Sequence, residues 1–297
     1  MKKIHSLLAA LFLAAGPARA VETASFLNVG VGARGLGMGS AYTALADDAD
    51  AIYWNPAGLT SVEKREFQVS DSELAPNTRE GFLAYAQTTS VGTFAAAVTY
   101  LNEGTLDGRD AQGHATTSYS AADAAIAGAY ARKTRLVDLG ASVKFIQSHI
   151  GSAQATSFAV DLGARKQVGP VALGVALRNA GPGMKFDSET DDLPLRLALG
   201  AAYKFTGGHG FGLEITNGPR GAGTDFGFGG EYRALKDVYL RAGYTTQTAI
   251  TGGAGFDAAR GLTLGVGYRA PRWTLDYAAV PMGELGGTHR FSFSTRF

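Results

Sequence analysis

Residues 64–297 alternate between apolar and small or polar side chains with a period of two, in segments of about ten residues. In the final segment, THRFSFSTRF, Phe291, Phe293 and Phe297 fall on one face, with Arg290, Ser292, Ser294 and Arg296 on the other. RWTLDYAAV sets Trp273, Leu275 and Tyr277 against Arg272, Thr274 and Asp276. GLTLGVGYR sets Leu262, Leu264, Val266 and Tyr268 against Thr263, Gly265, Gly267 and Arg269. In LPLRLALGAAYKF, Leu195, Leu197, Leu199, Ala201, Tyr203 and Phe205 oppose Arg196, Ala198, Gly200, Ala202 and Lys204. Residues two apart share a face of a strand, so each segment has one greasy side. No apolar run outside the N-terminus approaches the roughly 20 residues of a membrane-spanning helix.

A soluble β-sandwich and a transmembrane barrel both produce this alternation. Three features favour the barrel. The N-terminus, MKKIHSLLAALFLAAGPARA, has Lys2 and Lys3, an apolar run over 7–15 and Ala18-Arg19-Ala20, the pattern of a secretory signal peptide cleaved after Ala20. That run is too short for a plain membrane anchor. Phe297 closes an alternating strand, and with Phe291 and Phe293 it resembles the signal read by the outer-membrane barrel assembly machinery. The 41 glycines sit mostly inside short apolar stretches, where glycine weakens a strand in water; on the inner wall of a barrel they leave room for something in the lumen. The expected fold is all-β: a transmembrane antiparallel barrel in contact with lipid of a bacterial outer membrane. With no cysteines, disulfides and thiolate chemistry are out. The formal charge of +1 turns slightly negative without Lys2, Lys3 and Arg19, so nothing points to nucleic acid.

Bacterial barrels have even strand numbers, short periplasmic turns and longer outer loops. With the C-terminus periplasmic, residues 281–287 lie outside, and turns at 270–271, 235–236, 207–208, 167–168, 133–136 and 89–91 fall inside. The connections 180–193 and 102–118 then fall outside. Parity is met by about 14 strands if residues 246–259 are one outer loop. Within it, 249–257 reads either as a strand or as a loop hairpin.

Residues 21–63 do not alternate. SAYTALADDADAIYWNPAGL reads as a short helix from near Ser40, an Asp-rich turn and a second helical turn closed by Pro56. Its Ala, Leu, Tyr and Trp content opposes a periplasmic tail left in water and suits a plug inside the lumen. The organisation expected is a signal peptide over 1–20, a plug over 21–63 and a barrel over 64–297.

The stretch GVGARGLGMGSAYTALADDADAIYWNPAGL resembles the N-terminal segment of the PorV/PorQ family, within the superfamily of FadL-like, fatty-acid-transporter barrels. Asn55-Pro56-Ala57 matches the NPA motif of that superfamily's hatch, and residues 229–244 and 275–297 extend the resemblance. It implies a 14-stranded barrel with an N-terminal hatch. Neither enzymatic activity nor a cofactor is expected of the chain. One departure is that the chain lacks the long outer loops that carry the hydrophobic access groove of fatty-acid transporters.

Gly30-x-Gly32-x-x-Gly35 has dinucleotide-fingerprint spacing, but no strand leads in and no helix opens behind it. Gly30, Gly32, Gly35, Gly37 and Gly39 are expected instead to let the hatch backbone turn tightly and approach the wall. Asp47, Asp48 and Asp50 lack the glycine and terminal glutamate of a calcium loop. Capping a short helix and pairing with lumen arginines is the expected role. His114, His149, His209 and His289 are too scattered for zinc, and no G-x-S-x-G elbow marks a nucleophile. The inner face carries Lys144, Arg165, Arg178, Arg196, Arg233, Arg241, Arg269 and Arg290, with Asp138, Asp161, Glu214, Asp225, Glu231 and Asp276. Such mixed signs suit pairing with one another and with the plug. Arg196, Arg233, Arg241, Arg269, Glu231 and Asp276 are the expected network, and Asn55 and the Pro56 backbone are expected to be held by such groups.

Two functions follow from the resemblance. One is passage of a hydrophobic small-molecule ligand through a hatch-gated lumen. The other is service to a type IX-like secretion system, binding cargo or partner proteins at the outer loops 102–118, 180–193 and 246–259.

Overall fold

The structure is a computed structural model that describes residues 22–75, 77–110, 112–187, 189–220, 223–247, 261–281 and 287–297. The proposed signal peptide, the 249–257 stretch and residues 282–286 lie outside the described residues.

The alternating segments form the strands β1 (Arg65–Ala75), β2 (Thr78–Thr89), β3 (Gly92–Leu106), β4 (Tyr119–Lys133), β5 (Asp138–Ile150), β6 (Ala153–Val168) and β7 (Val171–Ala180). A small hairpin of β8 (Met184–Phe186) and β9 (Glu189–Asp191) follows. The strands then resume as β10 (Arg196–Lys204), β11 (Gly210–Gly218), β12 (Gly223–Arg233), β13 (Val238–Thr245), β14 (Leu262–Arg269), β15 (Trp273–Pro281) and β16 (Gly287–Arg296). Leaving out β8 and β9, fourteen strands close into one antiparallel barrel, with β7 bonded to β10 and β16 to β1. Because β13 pairs directly with β14, the 246–261 connection links barrel neighbours and parity holds.

The pleat turns the greasy face outward. Phe291, Phe293 and Phe297 are 53%, 40% and 66% exposed, whereas Arg290, next to Phe291, is 1% exposed. A wall apolar outside and polar within suits lipid, not water. Among the described residues no helix is long and apolar enough to cross a membrane. The rim that holds the C-terminus, periplasmic in such barrels, carries the short turns. One lies at 169–170, two residues later than expected, where Gly169 adopts φ +58° ahead of Pro170. At the opposite rim β3 runs on to Leu106, so that loop starts at 107 and not at 102. The 181–195 connection contains the β8–β9 hairpin.

Residues 22–64 fill the lumen. They form 3-10 turns at Ser25–Asn28 and Pro56–Ser61 and short helical segments at Ala33–Gly37 and Ala51–Trp54. The helix expected from Ser40 is absent. Gly39 and Ser40 adopt φ +64° and +62°, which breaks helical continuity, and a barrel carboxylate takes the next amides.

Candidate functional site

Most of the lumen is occupied by the hatch, so the site is the contact between hatch and wall. The hatch backbone lies directly on inward-facing glycines. A Cβ added at Gly229 would overlap the Met38 carbonyl, and one at Gly243 the Gly39 amide. Gly212 meets Ala41, Gly174 and Gly200 meet Thr43–Ala44, and Gly140 and Gly163 meet Pro56 and Asn55. The girdle runs from β5 to β14, where Gly265 meets Gly37, and the missing side chains define the seat. Of the expected hatch glycines, Gly30, Gly32 and Gly39 take positive φ, the left-handed region that favours glycine. Gly35 and Gly37 lie in the Ala33–Gly37 segment, Gly35 against Trp54 and Gly37 against the β14 backbone.

Turns this irregular leave amides without helical partners, and wall side chains accept from them. Ser292 Oγ accepts from Ala33 N at 2.7 Å and Thr263 Oγ1 from Gly39 N at 3.1 Å. One oxygen of Glu214 accepts from both Tyr42 N and Thr43 N, at 2.9 and 2.8 Å. In return Arg165 donates to the Ala46 carbonyl at 2.8 Å. Asn55, fully buried, donates to the Thr43 and Ala164 carbonyls at 2.9 and 3.3 Å and accepts from Ala57 N at 3.1 Å. The expectation that charged groups hold Asn55 is therefore corrected: three main-chain groups do, because the turn brings carbonyls to an amide able to donate. Pro56 opens the next 3-10 turn, and Ala57, fully buried, supplies that N–H.

The charges form a chain through Arg34. Its guanidinium reaches Glu231 at 3.1 and 3.2 Å, Asp47 at 2.6 Å and Asp48 at 3.3 Å. Glu231 also accepts from Arg241 at 2.7 Å, which reaches Asp276 at 2.7 Å. Arg269 stands 4.0 Å from Glu231 and over the Tyr239 ring. Arg196 lies apart, in a two-bond pair with Glu22 of the hatch at 2.8 and 2.7 Å. Arg233 does not join the network. It bonds the Lys236 carbonyl in the rim turn, because the end of β12 places it beyond the lumen. Arg34, the one charged residue of GVGARGLGMG, and Glu22 were missed in the sequence, although a lone arginine amid glycines was the available signal.

The three aspartates differ. Asp47 bonds Arg34 and, at 2.9 Å, Lys204 of the wall; Asp48 accepts from Tyr42 Oη at 2.6 Å. Their main arginine partner is Arg34 of the hatch and not a lumen arginine. Asp50 precedes the Ala51–Trp54 segment yet makes no capping bond, and neither carboxylate oxygen has a partner among the described residues. Burial, then the charges of Asp48, Glu66 and Asp276, push its carboxyl well above the usual range. Beside it is a void of about 10 Å³ lined by Asp48, Gln68, Thr274 and Ser292, room for at most one water. Among the described residues no acidic or histidine group has the geometry to hold a metal.

A second seal lies toward the opposite rim. Phe26 and Leu27 pack with Met184 and Leu193 of the 181–195 connection and with Leu101 and Ile146 of the wall. Thr23 N bonds the Asp192 carbonyl at 3.1 Å.

No family model and no curated protein matches the chain. Among solved structures it is similar to the toluene transporter TodX of Pseudomonas putida, with TM-score 0.70 and 15% identity over 95% of this chain and 100% of that one. The toluene transporter TbuX of Ralstonia pickettii gives TM-score 0.65 and 15% identity, over 92% of this chain and 100% of that one. A FadL homologue of Pseudomonas aeruginosa gives TM-score 0.57 and 14% identity, over 95% and 99%. The likeness is one of fold: these proteins share the closed antiparallel barrel described above.

Within the barrel the inner wall is two-sided. Most of the inward charges lie on β5 to β16, whereas the middle of β2 to β4 turns inward Phe82 and an alanine run that includes Ala84, Ala97, Ala127 and Ala129, with Glu80 and Asp123 nearer the ends of these strands. Ile52 and Tyr53 of the hatch face that apolar side across a void of about 20 Å³. Tyr53 is pinned by its hydroxyl to the Leu27 carbonyl at 2.8 Å, with Arg178 over its ring at 5.7 Å.

Proposed function

We propose that this is an outer-membrane barrel that passes hydrophobic small molecules through a lumen gated by residues 21–63. The observation that carries the reading is the alanine-rich inner stripe of β2–β4 facing the apolar side of the hatch. An apolar solute meets mostly alanine and aromatic carbon there, and Lys144, the charged side chain of that lining, is already paired with Asp161. The FadL-like fold, shared with proteins described as toluene transporters, supports the same class of cargo. Deleting residues 21–50 tests it. Permeability to a small apolar probe and ionic conductance should both rise; unchanged values count against gating.

A second reading rests on the PorV/PorQ-like residues, above all Asn55-Pro56-Ala57, and on the 181–195 connection, which packs as a hairpin across the lumen. It makes the barrel a partner-binding component of a type IX-like secretion system. Cross-linking from residues 107–118 and 181–195 in native membranes tests it: a captured secretion component supports the reading, and no captured protein counts against it.

A further inference from the structure

The outer wall of a barrel is normally convex, but on β4–β7 it is hollowed. A depression of about 640 Å³ opens toward the bilayer, lined almost wholly by carbon. Register explains it. Across the strands one outward row reads Tyr130, Ala141 and Leu162; the next, nearer the C-terminal rim, reads Arg132, Leu139, Ala164 and Val175. Ala141 and Ala164 are the short side chains in these rows, on adjacent strands and in adjacent rows, so together they form a floor between taller neighbours. Leu139 and Leu162, on its flanks, are 47% and 51% exposed.

The charge around this hollow has one sign. Arg132 lies at its edge, and Lys166 is two residues beyond Ala164 on the same outward face, toward the C-terminal rim. Neither has an ion pair among the described residues. The carboxylates of these strands, Asp123, Asp138 and Asp161, all occupy inward positions; Asp138 pairs with Arg165 and Asp161 with Lys144. An apolar trough that ends in two unpaired cations at a membrane interface complements one molecular shape: an acyl chain bearing a phosphate.

We propose that this hollow binds one phospholipid of the periplasmic leaflet, an acyl chain lying over Ala141 and Ala164 and its phosphate on Arg132 and Lys166. The chain gains close contact on three sides where a flat wall would offer one. Arginine presents a fork that matches phosphate oxygens, and lysine reaches the interface on its flexible stem. The inference rests on the membrane placement of the barrel and not on what the lumen transports. Gly140 and Gly163 carry no side chain on the inner side of this floor and abut Pro56 and Asn55. The lipid therefore covers the wall where only backbone separates the hatch motif from the bilayer.

The test is native mass spectrometry of the full barrel extracted in mild detergent from vesicles of phosphatidylethanolamine and phosphatidylglycerol. Two independent double variants accompany it: Arg132→Glu with Lys166→Glu, and Ala141→Leu with Ala164→Leu. Lys236→Glu, at another turn of the same rim, is the control, and heat-modifiable mobility on gels reports folding. One retained phospholipid per wild-type and Lys236→Glu barrel is expected, with retention lower on the order of ten-fold in both folded double variants. Equal retention in all proteins, no lipid on the wild type, or a lipid-free dimer joined through β4–β7 would overturn the proposal.

Discussion

Glycine at position 229 is needed because of what lies across from it, not because of its own backbone. Its φ is ordinary for a strand, so Gly229→Val suits the isolated barrel, while the new side chain strikes the Met38 carbonyl. The variant should cost the full chain about 1–3 kcal/mol in thermal unfolding. The same substitution should cost nothing once residues 21–50 are removed, and equal costs in both backgrounds would contradict the seat described for the hatch. Asn55 gives a complementary case. Asn55→Asp places a carboxylate against two carbonyls that now receive N–H donors. Asn55→Ala merely leaves them unpartnered, at about 1–3 kcal/mol. Both should make the hatch more sensitive to protease, the aspartate more so than the alanine. Asp50 and Asp47 add pH dependence of opposite sign. Burial raises the Asp50 carboxyl, so the docked hatch holds a proton that the free chain releases. Docking is then strongest below the ordinary aspartate value of about 4 and weakens as pH rises through the window up to Asp50's raised value. Asp47 is also buried, but Arg34 and Lys204 outweigh that and hold its carboxyl well below the usual range. Its contribution is present above about 4 and is lost as pH falls toward its lowered value. Asp50→Asn should lessen the loss on the alkaline side, to which buried Asp48 also contributes, and keep the acid one, as read by hatch proteolysis against pH.

The strands were legible as elements because two-residue periodicity survives at nearly every position from Arg65 to Arg296. Lipid and lumen differ so sharply that each inward or outward choice is written in one side chain. Turn positions were legible to within about two residues. In the hatch, little beyond its non-strand character and the helical turn before Pro56 was legible. Its two short helical segments at Ala33–Gly37 and Ala51–Trp54 are too brief for a helical period, and their conformation is imposed by partners remote in sequence, such as Glu214 and Ser292. For the same reason Arg34 was overlooked, since its three carboxylate partners are spread from Asp47 to Glu231. Removing that hub is the prediction at this scale. Arg34→Met leaves Glu231, Asp47 and Asp48 in the lumen without their shared cation, so a destabilisation of about 3–5 kcal/mol is expected in the full chain. Adding Glu231→Gln should recover part of it. Additive losses in that double variant would mean that the two residues do not act as one unit.

At the scale of the whole molecule the barrel is a rigid frame and the hatch a separate insert held by contacts along one glycine girdle. Passage of an apolar molecule beside β2–β4 requires that insert to move, because the voids left beside it are no larger than a water or two. The most direct measurement locks it in place. The chain has no cysteine, so Gly37→Cys with Ala278→Cys introduces one defined pair. A Cβ at Gly37 lies 3.6 Å from that of Ala278, within the roughly 3.5–4.5 Å of a disulfide. Uptake of radiolabelled toluene into proteoliposomes would be compared for the oxidised and reduced forms. Gating by the hatch predicts uptake near background when the bond is closed and full recovery on reduction. Equal uptake in the two forms would contradict it.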